Sequence, residues 1–366
     1  MKAFLGAKYC YLVSSGTAAL YIILRSLKLD TPRNEVIIPA YTCPSVAAAI
    51  VKAGLKIRLC DVNKNNFNYD IESLKNIISS DTLCIVTVHL FGIYTDVQAL
   101  KDLCVQKNIY LIEDAAQGFG NYVENPDGNK MLGTLGDVGF YSFGRGKPLN
   151  LMHGGAIVTN SEEIANKIKR FYDQLPKPPF LTNIAVILKT FLYRLFFHPR
   201  LYWIPNSIPF LKLGETIFSL SFSITRMSRF TISLADLMLE KIDKLKLERE
   251  QISQKIITSL SMQSAIRIPH LLRCALLRLP LIFERPEVRD AVQSRLLSAG
   301  IGASGLYPVP LNKQEGIPEY LEHNGLYPNA ECVSKRILTL PTHSLISDKD
   351  IAKMVDTISK EIGNRS

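Results

Sequence analysis

A lysine and a carboxylate lie at two places along the chain where their side chains could act on one reactive group. Lys147 comes five residues after Ser142 in DVGFYSFGRGK (137–147), and a primary amine in such a turn can form a Schiff base with an aldehyde. Asp114 follows the apolar run YLIE (110–113). We therefore expect this carboxylate at the C-terminal edge of a parallel strand, where open α/β sheets place their ligands.

The segment SSGTAAL (14–20) indicates a phosphate site. Gly16 and Thr17 fall at a predicted strand-to-helix turn, and the backbone N–H groups and dipole of a helix N-terminus favour a phosphate. The hydroxyl of Ser142 adds a donor. An amine, an anion beside a protonated ring nitrogen and phosphate donors are the parts that pyridoxal 5′-phosphate (PLP) requires. The sequence therefore predicts a PLP site whose reactive amine is Lys147.

The order of several motifs resembles one known family, the DegT/DnrJ/EryC1/StrS sugar aminotransferases of PLP fold type I. The motifs span nearly the whole chain and are SSGTAAL, VIIPAYTCPSVAAAIVKAGLKIRLCDV, VTVHLFGIYTDV, LIEDAAQGFG, GDVGFYSFGRGK, GGAIVTN and YPNAECVSKRILTLPTH. The resemblance implies that Lys147 is the Schiff-base lysine, that Asp114 partners the pyridine nitrogen and that Gln117 bonds the ring hydroxyl. The phosphate is then held by Gly16, Thr17 and Ser142. Because related dehydratases carry His at the lysine position, Lys147 favours transamination over dehydration.

The cover of the cofactor ring departs from the family's pattern. An aromatic residue two positions after the one matched by Tyr41 often covers the ring in the family, and here this position is Cys43. Either the Tyr41 ring or the smaller thiol of Cys43 is expected to take that place.

The phosphate contact across the dimer interface departs as well. The family motif NYRM, whose Asn reaches the phosphate of the partner subunit, aligns with ITRM (224–227), so Ile224 replaces the Asn. The candidates for a substitute are Ser223, Thr225 and Arg229. The family also normally carries a few dozen residues before the segment FLGAKY (4–9). We therefore expect one of three explanations: the start codon is misassigned, the chain is truncated, or the pocket is built differently.

Four further residues are candidates for contact with the substrate: His89, His153, Tyr307 and His343. His89 stands where the family has a similar VHLYG sequence; the alternative is a structural histidine at a strand end. His153 precedes a glycine pair where relatives often have Glu, and an ordinary loop histidine is the alternative. Tyr307 and His343 lie in segments that approach the acceptor in relatives. Glu113 points away from Asp114, because side chains alternate along a strand, and is expected to be structural.

Composition narrows the class of protein. The chain has 366 residues, of which 47% are apolar and 21% are charged, and this composition is that of a folded globular protein. Its net charge is +10. That charge could attract nucleic acid, anionic lipid or a sugar nucleotide. No nucleic-acid-binding motif is found, so nucleic acid is not an expected partner. Seven cysteines without a C-x-x-C pair argue against a disulfide framework or a metal site and fit a reducing cytoplasm. No secretory signal or membrane span is apparent.

Apolar runs that alternate with helical patterns predict the fold. They occur at 36–40, 57–62, 83–91, 110–114, 138–143 and 156–160. Near-continuous apolar strands of this kind indicate a parallel or mixed sheet covered on both faces, that is, a large doubly wound α/β domain followed by a smaller C-terminal α/β domain. We predict a PLP-binding domain over 1–175, an apolar insertion with connecting helices over 176–250 and a small domain over 251–366.

Residues 180–222 are the least expected stretch, since most family members have a shorter and more polar connection there. The stretch is apolar, carries interspersed basic residues and includes the only tryptophan, Trp203. Three interpretations stay open. It could be buried in protein, including a dimer contact, it could contact an anionic membrane through 183–211 with Tyr202 and Trp203 near the headgroups, or it could roof the pocket for a lipid-like acceptor.

These observations predict a cytoplasmic, homodimeric aminotransferase that carries an amino group, from glutamate, to a keto sugar nucleotide for cell-surface polysaccharide synthesis. Peripheral association with the inner face of the membrane is a further possibility. The alternative is a catalytically impaired relative that acts as a membrane-proximal scaffold or regulator in polysaccharide assembly. That alternative is motivated by the missing N-terminal segment, by the loss of the cross-subunit Asn at Ile224 and by the apolar insertion.

Overall fold

The computed structural model describes residues 1–124, 128–196, 217–269, 274–323 and 325–363. Seven strands form its main sheet: β1 (Tyr9–Val13), β2 (Glu35–Pro39), β3 (Lys56–Cys60), β4 (Thr82–Val88), β5 (Tyr110–Asp114), β8 (Val138–Ser142) and β9 (Gly155–Thr159). Their order is β1-β9-β8-β5-β4-β2-β3. The five strands from β8 to β3 run parallel, whereas β9 is antiparallel to both β8 and β1. The expected mixed sheet is confirmed.

Two smaller sheets complete the strands. A hairpin consists of β6 (Tyr122–Val123) and β7 (Lys130–Met131). An antiparallel sheet in the order β10-β11-β12 consists of β10 (Ile266–Arg267), β11 (Arg278–Phe283) and β12 (Ile337–Pro341).

Helices of the described residues cover these sheets. The first six are α1 (Lys2–Leu5), α2 (Gly16–Leu27), α3 (Pro44–Lys52), α4 (Ile71–Ile77), α5 (Val97–Lys107) and α6 (Glu162–Gln174). The later ones are α7 (Phe180–Phe196), α8 (Arg229–Leu239), α9 (Ile242–Leu260), α10 (Pro286–Ser298), α11 (Pro328–Arg336) and α12 (Asp348–Gly363).

The main sheet is covered on both faces because its strands are apolar at successive positions. In β2, Val36 and Ile38 join the apolar cluster that contains the α2 and α3 side chains. Ile37, between them, joins the cluster under α5 with Leu100 and Leu103. Side chains alternate along a strand, so these residues supply both faces. This is the doubly wound arrangement that the apolar runs predicted.

The predicted domain boundaries stay a prediction. The one at residue 250 falls within α9, and the largest apolar cluster includes side chains of both the main sheet and the β10-β11-β12 sheet. Any division of the chain into domains therefore shares this core.

The stretch 180–222 begins with α7, which contacts α8. Residues 197–216 lie outside the described part of the chain, so the predicted membrane contact through 183–211, with Tyr202 and Trp203, can be followed only over its first part. None of the helices that the structure describes is long and apolar enough to cross a membrane.

Candidate active site

A cavity of about 530 Å³ opens at the carboxyl edge of the main sheet. The last residues of three parallel strands line it: Val88 of β4, Asp114 of β5 and Ser142 of β8. This is where open parallel sheets hold their ligands. The cavity brings together eight of the predicted site residues, which are Gly16, Thr17, Cys43, Asp114, Gln117, Ser142, Lys147 and Tyr307.

One end of the cavity is built for an anion by α2 and β8. Gly16 begins α2 and packs so closely on Ser142 that a Cβ at position 16 would come within 2.8 Å of the Ser142 Cβ. The Oγ of Ser15 caps the helix by accepting a hydrogen bond from the Ala18 N–H at 3.0 Å. The first N–H groups of a helix have no carbonyl of an earlier turn to bind, and here those of Gly16 and Thr17 lie beside the cavity. The arrangement suits a phosphate.

Asp114 provides a buried negative charge within the same cavity. The residue is 5% exposed, and its Oδ1 accepts a hydrogen bond from the Ala116 N–H at 2.9 Å. Burial raises the pKa of Asp114 above its usual value, while the Ala116 N–H, the Lys147 amine and the His89 imidazole oppose the rise. A cation beside a buried carboxylate of this kind stabilises its ionised form, and a protonated ring nitrogen is such a cation.

Gln117 and Tyr307 form one wall. The Oε1 of Gln117 accepts a hydrogen bond from the Phe91 N–H at 2.9 Å, and its Nε2 donates to the Tyr307 hydroxyl at 3.3 Å. These bonds fix the amide so that its nitrogen faces the cavity side. Tyr307 comes from a loop that follows α10, nearly two hundred residues later, so this pair also joins two distant segments of the chain.

Tyr41 supports this wall from behind and is not among the residues that line the cavity. Its ring is fully buried, its hydroxyl donates to the Leu306 carbonyl and accepts from the Tyr307 N–H, and its ring meets the Tyr307 ring edge-on at 5.9 Å. These contacts hold the phenol away from the cavity lining, and the expectation that Tyr41 covers the cofactor ring stays a prediction. Of the two candidates, Cys43 is the one that lines it.

His89 also lies outside the cavity lining, so its expected contact with substrate stays a prediction. Its ring is fully buried, with Nε2 2.9 Å from a carboxylate oxygen of Glu113 and Nδ1 3.1 Å from the Thr95 hydroxyl. Glu113 in turn accepts hydrogen bonds from the backbone N–H groups of Gly133, Leu135 and Gly136. The pair fixes the loop that precedes β8. The structural role expected for Glu113 agrees with this geometry.

Neither His153 nor His343 lines the cavity. His153 lies near Lys189 of α7, and burial together with that positive charge lowers the pKa of His153 below its usual value. His343 follows β12 and lies near two guanidinium groups, those of Arg249 and Arg278. A contact of either histidine with substrate is not supported by the described cavity.

Two of the three residues proposed to replace the family Asn, Ser223 and Thr225, are held to the rest of their own chain through backbone atoms. The Oγ of Ser14 donates to the Ser223 carbonyl at 2.7 Å and accepts from the Thr225 N–H at 3.2 Å. This places the segment that follows 217 directly beside the turn that begins α2. Ser223, Thr225 and Arg229 are not among the residues that line the cavity of the single chain.

Two arginines and a tyrosine of the lining were not singled out from the sequence: Arg145, Arg278 and Tyr193. Arg145 lies in the same loop as Lys147 and could have been found there, since a guanidinium beside a reactive lysine suits an anionic substrate. Tyr193 belongs to α7 and Arg278 to β11. No spacing in the sequence connects these two with the loop of Lys147.

The residues present fit PLP, because the cavity combines the close-packed anion site at Gly16 and Ser142 with a buried carboxylate and a lysine. The chain also matches the DegT/DnrJ/EryC1/StrS aminotransferase family over residues 1–180 and 213–359. That match covers most of the chain and every residue of the anion site. The chain belongs to this family. Its cofactor is PLP, and it is a PLP-dependent aminotransferase.

Two relatives and one solved structure are similar to this chain. The GDP-perosamine synthase of Vibrio cholerae is 34% identical over 171 residues, which are 47% of this chain and 45% of that protein. The UDP-2-acetamido-2-deoxy-3-oxo-D-glucuronate aminotransferase of Pseudomonas aeruginosa is 27% identical over 95% of this chain and 85% of its own length. Among solved structures, NtdA of Bacillus subtilis with bound cofactor PMP has a similar fold, with a TM-score of 0.77 at 20% identity over 99% of this chain and 75% of that one.

Proposed function

We propose that this protein transfers an amino group from glutamate to a keto sugar nucleotide, for the synthesis of a cell-surface polysaccharide. The observation that carries the proposal is a single cavity lined by Lys147, Asp114 and the Gly16–Ser142 anion site. The substrate class rests on the relatives, whose names include a GDP-perosamine synthase and an oxo-glucuronate aminotransferase.

Lys147 is the proposed catalytic amine. PLP, when bound, draws electrons from the Cα of an amino donor. The Nζ of Lys147 would hold the cofactor through its aldehyde and would serve as the base and acid that moves the proton of the donor Cα. Asp114 holds a proton on the ring nitrogen, and its burial makes that charge pairing strong.

The other cavity residues orient the cofactor. The backbone N–H groups of Gly16 and Thr17 and the hydroxyl of Ser142 bind the phosphate. Gln117, fixed by its bond from Phe91, donates to the ring hydroxyl. Cys43 covers the ring in place of the usual aromatic side chain.

Anionic substrates suit the remaining lining residues. Arg145 and Arg278 both line the cavity, and a guanidinium binds a carboxylate or a diphosphate well. Glutamate has two carboxylates and a sugar nucleotide has a diphosphate. Lys147, Asp114, Gly16 and Ser142 all line one cavity, and this gives no support to the alternative of a catalytically impaired scaffold.

We further propose that the protein is a cytoplasmic homodimer, with Ser223, Thr225 or Arg229 reaching the partner's phosphate. Light scattering on the PLP-loaded protein gives the mass directly. A monomeric mass with full activity would exclude a shared site. A peripheral contact of 183–211 with the membrane is proposed separately below, for its described part.

The experiment that tests the function is the visible absorption spectrum of PLP-loaded protein before and after L-glutamate, together with the amount of 2-oxoglutarate released. The wild-type protein is expected to lose its visible band and to release one 2-oxoglutarate per site. Lys147→Ala should do neither, while Lys107→Ala, an exposed lysine on α5, should behave as wild type. Release of 2-oxoglutarate by Lys147→Ala at the wild-type rate would refute the assignment.

A further inference from the structure

Helix α7 exposes an apolar surface that the catalytic reaction does not explain. Six large apolar side chains of this helix are at least one-third exposed: Leu181, Ile184, Ile187, Leu188, Phe191 and Leu192. Leu181 and Phe191 are 72% and 64% exposed. The family match ends at residue 180 and resumes at 213, so α7 is not part of what the family shares.

The exposed side chains form one continuous surface. An α-helix turns by about 100° per residue, which places the six side chains within an arc of roughly 140°. We call these six residues the apolar arc. Val186, which is buried, and Tyr193, which lines the cavity, lie on the opposite side. A helix that is apolar on both sides is normally buried on both sides, so the apolar arc is expected to have an occupant.

The charges around α7 identify the occupant. In the segment 174–196, which leads into α7 and includes it, the chain has no acidic residue, whereas it has three basic ones, which are Lys177, Lys189 and Arg194. Lys177 and Lys189 are exposed at the start and along the length of the described segment. An apolar surface on a segment whose charged residues are all positive is complementary to a lipid bilayer, which has a layer of anionic headgroups above an apolar interior.

We propose that α7 docks through the apolar arc on the surface of an anionic lipid bilayer. The helix lies on the bilayer and does not span it, since none of the described helices is suited to crossing a membrane. A second copy of the chain fits less well. Lysine is depleted at protein interfaces, and α7 carries Lys189 with no acidic residue of its own to pair with it.

Docking has a consequence for the site. Tyr193 is on the face of α7 opposite the apolar arc and lines the catalytic cavity. A docked α7 therefore places this cavity next to the bilayer, with one helix between them. The proposal goes beyond the proposed function and does not depend on it, because lipid binding needs no turnover.

Vesicle co-sedimentation of the full-length, PLP-loaded protein tests the proposal. The protein is expected to sediment with vesicles of phosphatidylcholine and phosphatidylglycerol in equal parts, and much less with pure phosphatidylcholine. Binding should weaken at about 0.5 M salt, where the Debye length is only a few ångströms. The variant Leu188→Glu/Phe191→Glu removes two apolar contacts and adds two repelled charges, so we expect its affinity to fall by at least about tenfold.

The matched control is Val105→Glu on α5, where an equally exposed apolar residue, 74% accessible, is far from the arc in sequence. It should bind vesicles as wild type does. Leu181→Glu provides a second arc variant that should weaken binding. Unchanged melting temperature and PLP content in each variant establish that the fold is intact. Wild-type protein that does not bind the mixed vesicles overturns the proposal, as does equal binding by the double variant. If wild-type protein does not bind vesicles and the double variant differs from it in mass by light scattering, the apolar arc is assigned to a second copy instead.

Discussion

Replacing Gly16 by Ala is expected to weaken PLP binding, because the added methyl group has no room. The new Cβ would come within 2.8 Å of the Ser142 Cβ and 3.4 Å of its Cα and Oγ. Ordinary contacts between such atoms are about 3.5–4.0 Å. The Cβ of Ser142 cannot rotate out of the way, so the start of α2 has to move away from the end of β8.

The cost of overpacking, about 1–3 kcal/mol, sets the size of the effect. Movement of α2 relieves the clash in the apo protein but carries the N–H groups of Gly16 and Thr17 away from the phosphate. Binding of PLP has to bring them back against Ser142, so we expect the PLP dissociation constant to rise by about 5- to 140-fold, at a factor of ten for each ~1.4 kcal/mol. The gain of about 0.4–1 kcal/mol that Gly→Ala brings by restricting the unfolded chain affects only the free energy of unfolding, because the free and the PLP-bound protein are both folded.

The assay is a titration of the apo protein with PLP, followed by absorbance or by quenching of protein fluorescence. Gly302→Ala is the control, since no atom lies within 4 Å of a Cβ built there. The double variant Gly16→Ala/Ser142→Gly removes the Ser142 Cβ that the new methyl group would contact. It should recover the stability of the apo protein but not the full affinity for PLP, because the Ser142 hydroxyl is lost as well. Wild-type PLP affinity in Gly16→Ala would refute the placement of the phosphate.

Three further predictions follow from the buried polar groups around the cavity. Burial raises the pKa of Asp114, so the ionised side chain destabilises the fold as the pH rises through the pKa of the folded state. Apo Asp114→Asn should therefore be more stable than wild type at pH 8, by roughly 1 kcal/mol, and should lose this advantage in acid. Differential scanning fluorimetry at both pH values measures the difference. The same variant should lose PLP-dependent turnover. Glu113→Gln should lower the free energy of unfolding by about 3–5 kcal/mol in urea titrations, because a carboxylate that accepts from His89 and three backbone N–H groups is disrupted; a loss below about 1 kcal/mol would contradict the buried network. Tyr41→Phe should cost about 1–3 kcal/mol and reduce the rate of the glutamate half-reaction, because the backbone before Tyr307 loses its partner; unaltered stability and rate would show that this support is not needed.

Residues close together in sequence, or at the ends of parallel strands, were predictable. Ser142 and Lys147 share one loop, and their separation along the chain already limits their distance. Asp114 ends an apolar strand, and the carboxyl ends of parallel strands meet at one edge of the sheet. The position of the cavity was therefore predictable from the apolar runs, and the structure places these residues there.

Residues that depend on burial were predicted less well. His89 and Tyr41 stand beside cavity residues in the sequence, yet both are fully buried behind the wall. Which way such a side chain points depends on whether a buried partner satisfies its polar atoms. The partners of Tyr41 are the backbone atoms of 306 and 307, and no local pattern connects segments so far apart.

The sequence by itself determined the sheet and the cofactor, and it predicted the lysine and the carboxylate proposed to act on that cofactor, because each follows from short-range patterns of polarity, glycine and chain direction. Only the tertiary structure decided which distant side chains complete the cavity and that α7 has one face on the protein and one exposed. Tyr193 and Arg278 line the cavity from α7 and β11, two elements that follow the main sheet along the chain. Their packing depends on the shape and burial of surfaces that meet only in the folded chain.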